Sequence, residues 1–498
     1  MSEYCNVNFA RERVRAGLRW FGPEDVVTIR HIYQTPGITN VITALHDIPP
    51  GEAWPEEAVI DRKIAVEFRP HPNEPDGLRG PDRLVWYQAN GRLTGLVWDV
   101  AESLIFTEEI KNGDPRRESQ IEAYCDSLRI LGRYGVNKVV GNFMLVADWT
   151  RTGSVRLPDG SLALEYIHDA FVAFDCFILK RHADLDAYIA DGSYTREEID
   201  AAHEYFQRYL ADDPDHRHDL TQMITAGLPG AQAGFSLTDF RAAVDRYRGM
   251  TVEQLRANIA YFLDRVTPVA RACGVRLCCH SDDPAFTPFL GTPRAVGGID
   301  GYKFLLDHGC GVGLCTGSLM PNEDNRDIVA VIYELAEYGR GLGLSPEDIF
   351  PHIHLRPIET DGKNFREGHH ACHREELAKV VHALVDIGWQ GVFRPDHAPG
   401  SDHGLGRPGY DVIGRGYGAQ LLLGLFEMGE IIRATRTGNV DAIIAACNGD
   451  PSRRDHALAA AAQAKRAQIQ RVIPHIKMPF VYNRHGDIKL PQFVNDDN

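Results

Sequence analysis

Four apolar runs end in side chains that bind metals or move protons. They are "VRLCCHSDD" (275–283) with His280, "GVGLCTGS" (311–318) with Cys315, "IFPHIHLR" (349–356) with His352 and His354, and "GVFRPDH" (391–397) with Asp396 and His397. Two imidazoles, a thiolate and a carboxylate suit a borderline divalent ion such as Mn²⁺, Fe²⁺ or Zn²⁺ better than Mg²⁺ or Ca²⁺, which prefer oxygen. The spacing is too wide to be informative by itself. The set gains meaning because every member stands at the end of a presumed strand. Each also has a plainer explanation: a hydrogen-bonded histidine, a packed cysteine, or an aspartate that caps a turn or pairs with Arg394. Either His352 or His354 can supply the second imidazole, since residues two apart share one strand face. An HxH pair also occurs in metal-dependent hydrolases of the amidohydrolase type, where it closes the first barrel strand; here it falls on about the seventh. "HHACH" (369–373) resembles a metal cluster but precedes a helix and reads equally as an exposed N-terminal turn.

The elements that must position these residues are short apolar runs separated by amphipathic segments. Besides the four above, "VITALH" (41–46), "GLVWDVAES" (95–103) and "KVVGNFM" (138–144) have the continuous apolar character of parallel strands buried on both faces. Helices are expected over 119–135, 251–274 and 373–388, the last two ending in glycine before the next strand. Strand and helix alternation implies an α/β fold with a parallel sheet. Seven strands are visible, and "LALEYIHDAFVAFDCFIL" (162–179) is the candidate eighth that would close a (β/α)₈ barrel, with catalytic groups at the carboxyl ends of its strands. A doubly wound open sheet fits less well, because no Gly-rich phosphate turn follows a first strand. The expected organisation is one catalytic barrel domain over 1–498. An inserted loop spans 67–92, a helical insertion or cap 180–250, and a C-terminal helical extension 436–498.

Bulk properties narrow the function. With 53 Lys+Arg against 69 Asp+Glu the net charge is −16, which argues against a general nucleic-acid binder. The N-terminal "MSEYCNVNFARERVRAGLRW" lacks the apolar core of a signal peptide, and no stretch reaches the roughly 18 apolar residues of a membrane span, so a soluble, cytoplasmic protein is expected. Ten cysteines without CxxC spacing argue against a disulfide framework or zinc finger. The apolar helix at 417–435 and the segment after 456 are compatible with a homo-oligomer, a dimer or larger.

In order along residues 18–425, "RWFGPEDVVTIRHI", "GITNVITALHDIPPGEAW", "GLVWDVAES", "NFMLVADWTRT", "LPDGSLAL", "AGLPGAQAGFSLTDFR", "HSDDP", "CTGS", "HLR", "RPDH" and "PGYDVIGR" resemble the mannonate dehydratase family. The resemblance implies a xylose-isomerase-like barrel holding one Mn²⁺ or Fe²⁺ and removing water from D-mannonate, a sugar acid, to give 2-dehydro-3-deoxy-D-gluconate in hexuronate breakdown. It places the metal ligands on His280, Cys315, His354 and Asp396, choosing His354 over His352. It places the acid and base on His397 and Tyr410.

Those roles suit the chemistry. The C2 proton lies α to a carboxylate, so its removal needs a base and a stabilised anion, and the 3-hydroxyl must be protonated as it leaves. The expected assignment is Tyr410 or its phenolate as base and His397 as acid. Arg151, Arg356, Arg394 and Arg415 are candidates for holding the substrate carboxylate or hydroxyls, and His46 and Asn142, at ends of strands one and three, for binding hydroxyls. The chain departs from the family's usual pattern at Ser281, Gly141, Leu145, the "HAPGSDHG" run and the 67–92 loop. These departures bear on which epimer fits. Dehydration of another aldonic acid, or a sugar-acid isomerase or epimerase on the same barrel, are the alternatives; a non-catalytic sugar-acid binder would not need His397 and Tyr410 beside a metal site.

Overall fold

The computed structural model describes residues 14–225, 236–436, 481–482 and 488–489. Most of the 436–498 extension lies outside the described residues. Residues Arg13–Glu430 form one compact unit. Beyond it, Val481–Tyr482 pairs antiparallel with Ile488–Lys489.

Eight parallel strands close a barrel: β1 (Arg15–Arg19), β2 (Ile38–Thr43), β3 (Val97–Glu102), β4 (Lys138–Gly141), β5 (Arg276–His280), β6 (Gly311–Cys315), β7 (His352–His354) and β8 (Val392–Arg394). Side chains alternate across the strands. Ile42, Val100, Val140, Cys278 and Val392 form one small cluster. Their neighbours Val41, Ala101, Val139, Cys279 and Phe393 join the main core with the surrounding helices. Closure pairs Arg15 with Val392 and Ala16 with Phe393.

The eighth strand is therefore β1, not the expected segment at 162–179. "RAGLR" is only five residues long and two of them are arginine, so it has no apolar run to betray it. In the other segment Leu162–Tyr166 is a strand of a separate four-stranded antiparallel sheet, and His168–Ala173 then turns helical. Its apolar residues Ala170, Phe171 and Phe174 serve a second core instead of the barrel. His46 and Asn142 consequently follow the second and fourth strands, not the first and third.

The second sheet runs Ile358–Asp361, Asn364–Glu367, Leu162–Tyr166 and Gly153–Arg156, built from the loops after β7 and β4. Helices at Asp186–Ala190, Arg196–Tyr205, Pro214–Thr225 and Leu237–Asp245 lie in the 180–250 region. Residues from them join Tyr166, Phe171, Phe289 and Phe365 in the second core, which thus packs on loops following β4, β5 and β7. Residues 67–92 are not all loop: Gly80–Asn90 is a helix, because Leu84 and Tyr87 bury against Ile60, Ile64 and Phe68. The other expected helices appear at Arg117–Arg133, Val252–Ala272, Arg374–Asp386 and Val412–Arg436. Among the described residues no helix is long and apolar enough to cross a membrane.

Candidate active site

Strand register brings the donor residues to one level. Cys315 on β6 pairs with His354 on β7, and His354 pairs with Arg394 on β8. His280 closes β5, and its Nε2 lies 3.0 Å from Nδ1 of His354. Ligand atoms of His280, Cys315 and His354 all fall within 4.8 Å of one another, a group able to hold a metal ion. Asp396 adds its carboxylate 3.7 Å from Cys315 Sγ. It stands just past β8 with φ +62°, a left-handed conformation that Asp tolerates better than most residues. Two imidazoles and one soft thiolate, together with one carboxylate, fit a borderline divalent cation. A second group, Glu102, His352 and His354, also has metal-ligand spacing. Glu102, however, is taken by Arg394 at 2.9 Å and Arg19 at 3.0 Å. Burial alone would raise the Glu102 carboxyl, but those two guanidiniums hold it at about 2.

His397, next along the chain, points its Nε2 at the Tyr410 hydroxyl, 3.0 Å away. Tyr410 reaches this place because the chain after β8 doubles back. Ala398 N–H donates to Gly409 O at 2.9 Å, and Gly409 takes φ +77°. The Asp411 carboxylate pins the loop by accepting from backbone N–H of Ser401, Leu405 and Ile413. Burial pushes the Tyr410 phenol up to about 12 despite the nearby Arg394, so it is held protonated at neutral pH. Trp149 sets its ring edge-on to His397 at 5.4 Å.

A cavity of about 350 Å³ opens on this chemistry, and His280, Asn142, Arg394, Asp396, His397 and Tyr410 all line it. Cys315 and His354 sit behind His280, both fully buried. His46 lines a neighbouring cleft with Leu45 and Trp54 instead. Both its ring nitrogens are buried without hydrogen-bond partners. Burial first, then Arg19, Arg62 and Arg407, depress it to about 3, so it is neutral.

Three of the four expected substrate arginines do not line the cavity. Arg151 spends its donors on Thr150 O, Asp283 and Glu367. Arg415 donates to Arg19 O and stacks its guanidinium 5.2 Å from the Tyr410 ring. Arg356 binds Asp283, Glu367 and Ser318, and touches the donor residues Cys315 at 3.7 Å and Asp396 at 3.3 Å.

Asp283, Glu367 and Glu102 are the residues that sequence reasoning passed over. Glu102 and Asp283 stand in strand-end stretches, "DVAES" and "HSDDP", so their position was a usable signal. Glu367 had none, since it lies on the second sheet, away from any barrel strand end. Ser103 likewise escaped notice; it follows Glu102 with φ +82° and accepts from Arg19 at 3.0 Å.

Known proteins resemble this chain over most of its length. A family model described as D-mannonate dehydratase (UxuA) matches residues 14–70 and 81–435. The mannonate dehydratase of Chromohalobacter salexigens is 36% identical over 423 residues, covering 82% of this chain and 96% of that protein. That of a Marinomonas species is 34% identical over 428 residues, covering 82% and 97%. The crystal structure of mannonate dehydratase from Streptococcus suis serotype 2 superposes with a TM-score of 0.61 at 27% identity, covering 85% of this chain and 95% of that one. With nearly the whole described barrel matched, the chain belongs to the D-mannonate dehydratase family.

Proposed function

We propose that this protein removes water from D-mannonate to give 2-dehydro-3-deoxy-D-gluconate. The observation that carries the reading is the pairing of His397 Nε2 with Tyr410 Oη at 3.0 Å, on the wall of a cavity that also exposes His280 and Asp396. Elimination needs one group to take the C2 proton and another to give a proton to the departing 3-oxygen. The C2–H electron pair becomes the C2–C3 double bond, the C3–O bond breaks to release water, and the resulting enol settles to the 2-keto acid. One group of the pair then holds an extra proton and the other lacks one. Transfer across their 3.0 Å contact restores both.

His280, Cys315, His354 and Asp396 would hold one Mn²⁺ or Fe²⁺, which supplies positive charge for the carboxylate as the C2 carbanion character develops. Arg394 and Asn142 offer side chains to the substrate carboxylate and hydroxyls from the cavity wall, and His46 reads a hydroxyl from the adjoining cleft. Arg151, Arg356 and Arg415 act from behind the wall by holding its carboxylates and the Tyr410 ring.

The test is incubation of protein loaded with Mn²⁺ or Fe²⁺ with a panel of aldonates, followed by assay of 2-keto-3-deoxy acid. D-Mannonate is expected to be the best substrate. Turnover of a different aldonate alone would overturn the substrate, and no 2-keto acid from any of them would overturn the dehydratase.

A further inference from the structure

We propose that Glu367, on the second sheet, is a positioning residue that fixes His397 as the Nδ1–H tautomer and so leaves Nε2 free to accept a proton. The inference rests on the acid/base reading of His397 and Tyr410 given above. It reverses the direction expected from the sequence: His397 becomes the base and Tyr410 the acid.

The argument begins with a closed ring of four buried charges. Asp283 binds Arg151 and Arg356, each at 2.9 Å, and both arginines also bind Glu367 Oε1, at 3.1 and 2.9 Å. None of the four side chains is more than 2% exposed. Two guanidiniums on one carboxylate keep it ionised, so Glu367 Oε1 has only lone pairs to offer. The same oxygen lies 2.6 Å from His397 Nδ1. A contact that short between two acceptors would be repulsive, so the hydrogen between them belongs to Nδ1.

Arg356 Nη1 also lies 3.0 Å from Nδ1, but its hydrogen has a better acceptor in Glu367 Oε1 at 2.9 Å. A ring whose single N–H stands on Nδ1 carries its lone pair on Nε2. That atom faces the Tyr410 hydroxyl at 3.0 Å, with Asp396 Oδ1 farther off at 3.5 Å and already paired with Arg394 at 2.9 Å. Tyr410 therefore donates to His397. Were Glu367 replaced by an apolar residue, Arg356 would be the group left to address Nδ1, and it can only donate. The ring would then switch to Nε2–H and lose its ability to act as a base.

Two variants of the full chain separate this role from a merely structural one. Glu367→Gln keeps a carbonyl where Oε1 stands, whereas Glu367→Leu removes the acceptor. Nitrogen-15 NMR of histidine-labelled protein reads the tautomer, with the His397 signals identified by their loss in His397→Asn. The expected result is Nδ1–H in the wild type and in Glu367→Gln, and Nε2–H in Glu367→Leu. On D-mannonate, kcat should fall by about 10²–10⁴ in Glu367→Leu with KM within about threefold, and by less than about tenfold in Glu367→Gln. Nε2–H in the wild type, or an unchanged tautomer in Glu367→Leu, overturns the proposal. If Glu367→Leu does not fold, the wild-type spectrum still decides. The spectra do not depend on which substrate is turned over, so a failure of the dehydratase reading and a failure of this one are told apart.

Discussion

His46 shows how the surroundings of one side chain set its behaviour with pH. In the unfolded chain it titrates at its ordinary value near ~6.5, whereas in the fold burial and three arginines hold it at about 3. Above pH 6.5 both states bind no proton there and His46 leaves stability unchanged. As pH falls from 6.5 towards 3 only the unfolded chain protonates, so folding is progressively weakened, by at most about 1.4 kcal/mol per pH unit. His46→Asn should therefore flatten the loss of urea-unfolding midpoint between pH 7 and 5. An identical slope in both proteins would refute the assignment. Glu102 adds a lower window of the same sense, since its carboxyl sits at about 2: its contribution is present above its unfolded value near ~4.5 and lost as pH falls from there to 2. His280, Cys315, the His352/His354 pair, Asp396 and His397 stood out in the sequence because they close strands or follow them directly, whereas Tyr410, well past the end of β8, was legible only through the family resemblance. Glu367 did not, and the pairing of Arg151 and Arg356, both expected to hold substrate, with Asp283 and Glu367 was not foreseen, because a sequence does not show which carboxylates will surround an arginine.

Most strands and helices were readable from apolar periodicity, and the failures share a cause. β1 is short and carries two arginines in five residues, while Ala170 to Phe174 is apolar because a helix must pack into the second core, so hydrophobicity alone could not say which belonged to the barrel. At the end of β4 stands Gly141, and the structure shows what fills the space beside it. Phe106, from the loop after β3, sits where a Cβ on Gly141 would come within 2.3 Å of its ring. Phe106 is itself stacked on Phe143 at 4.4 Å and packed on Phe262 at 4.8 Å, so it has little room to retreat. Gly141→Ala should cost about 1–3 kcal/mol through overpacking, measured by thermal or denaturant unfolding. A change below about 0.5 kcal/mol would mean the aromatic cluster yields more easily than its packing implies.

Within the Arg13–Glu430 unit, the proposed site gathers at the carboxyl ends of the barrel strands. Residues 71–80 fall outside the matched family region, and no residue of 67–92 lines the 350 Å³ cavity. Arg83 ties this module together through Glu74 at 2.5 Å and Asp61 at 2.6 Å. Replacing 71–79 with a short Gly/Ser linker should leave kcat/KM for D-mannonate within about twofold, while the loss of the partly exposed Arg83–Glu74 pair lowers stability by no more than about 1 kcal/mol. A changed order of preference among aldonates would show that the module does reach the substrate. The ring of Asp283, Arg151, Glu367 and Arg356 has a consequence in time as well as in space. Arg151 and Glu367 are 216 residues apart, and the strand that closes the barrel meets the first only after residue 392. Contacts so distant along the chain form slowly, because the loop entropy is lost before they are made. While the protein is being synthesised, β1 waits with an unpaired edge and Arg151 has no Glu367 to meet. A chain that has already gained its helices is thus not yet an enzyme, and its most charged interior is among the last parts to be assembled.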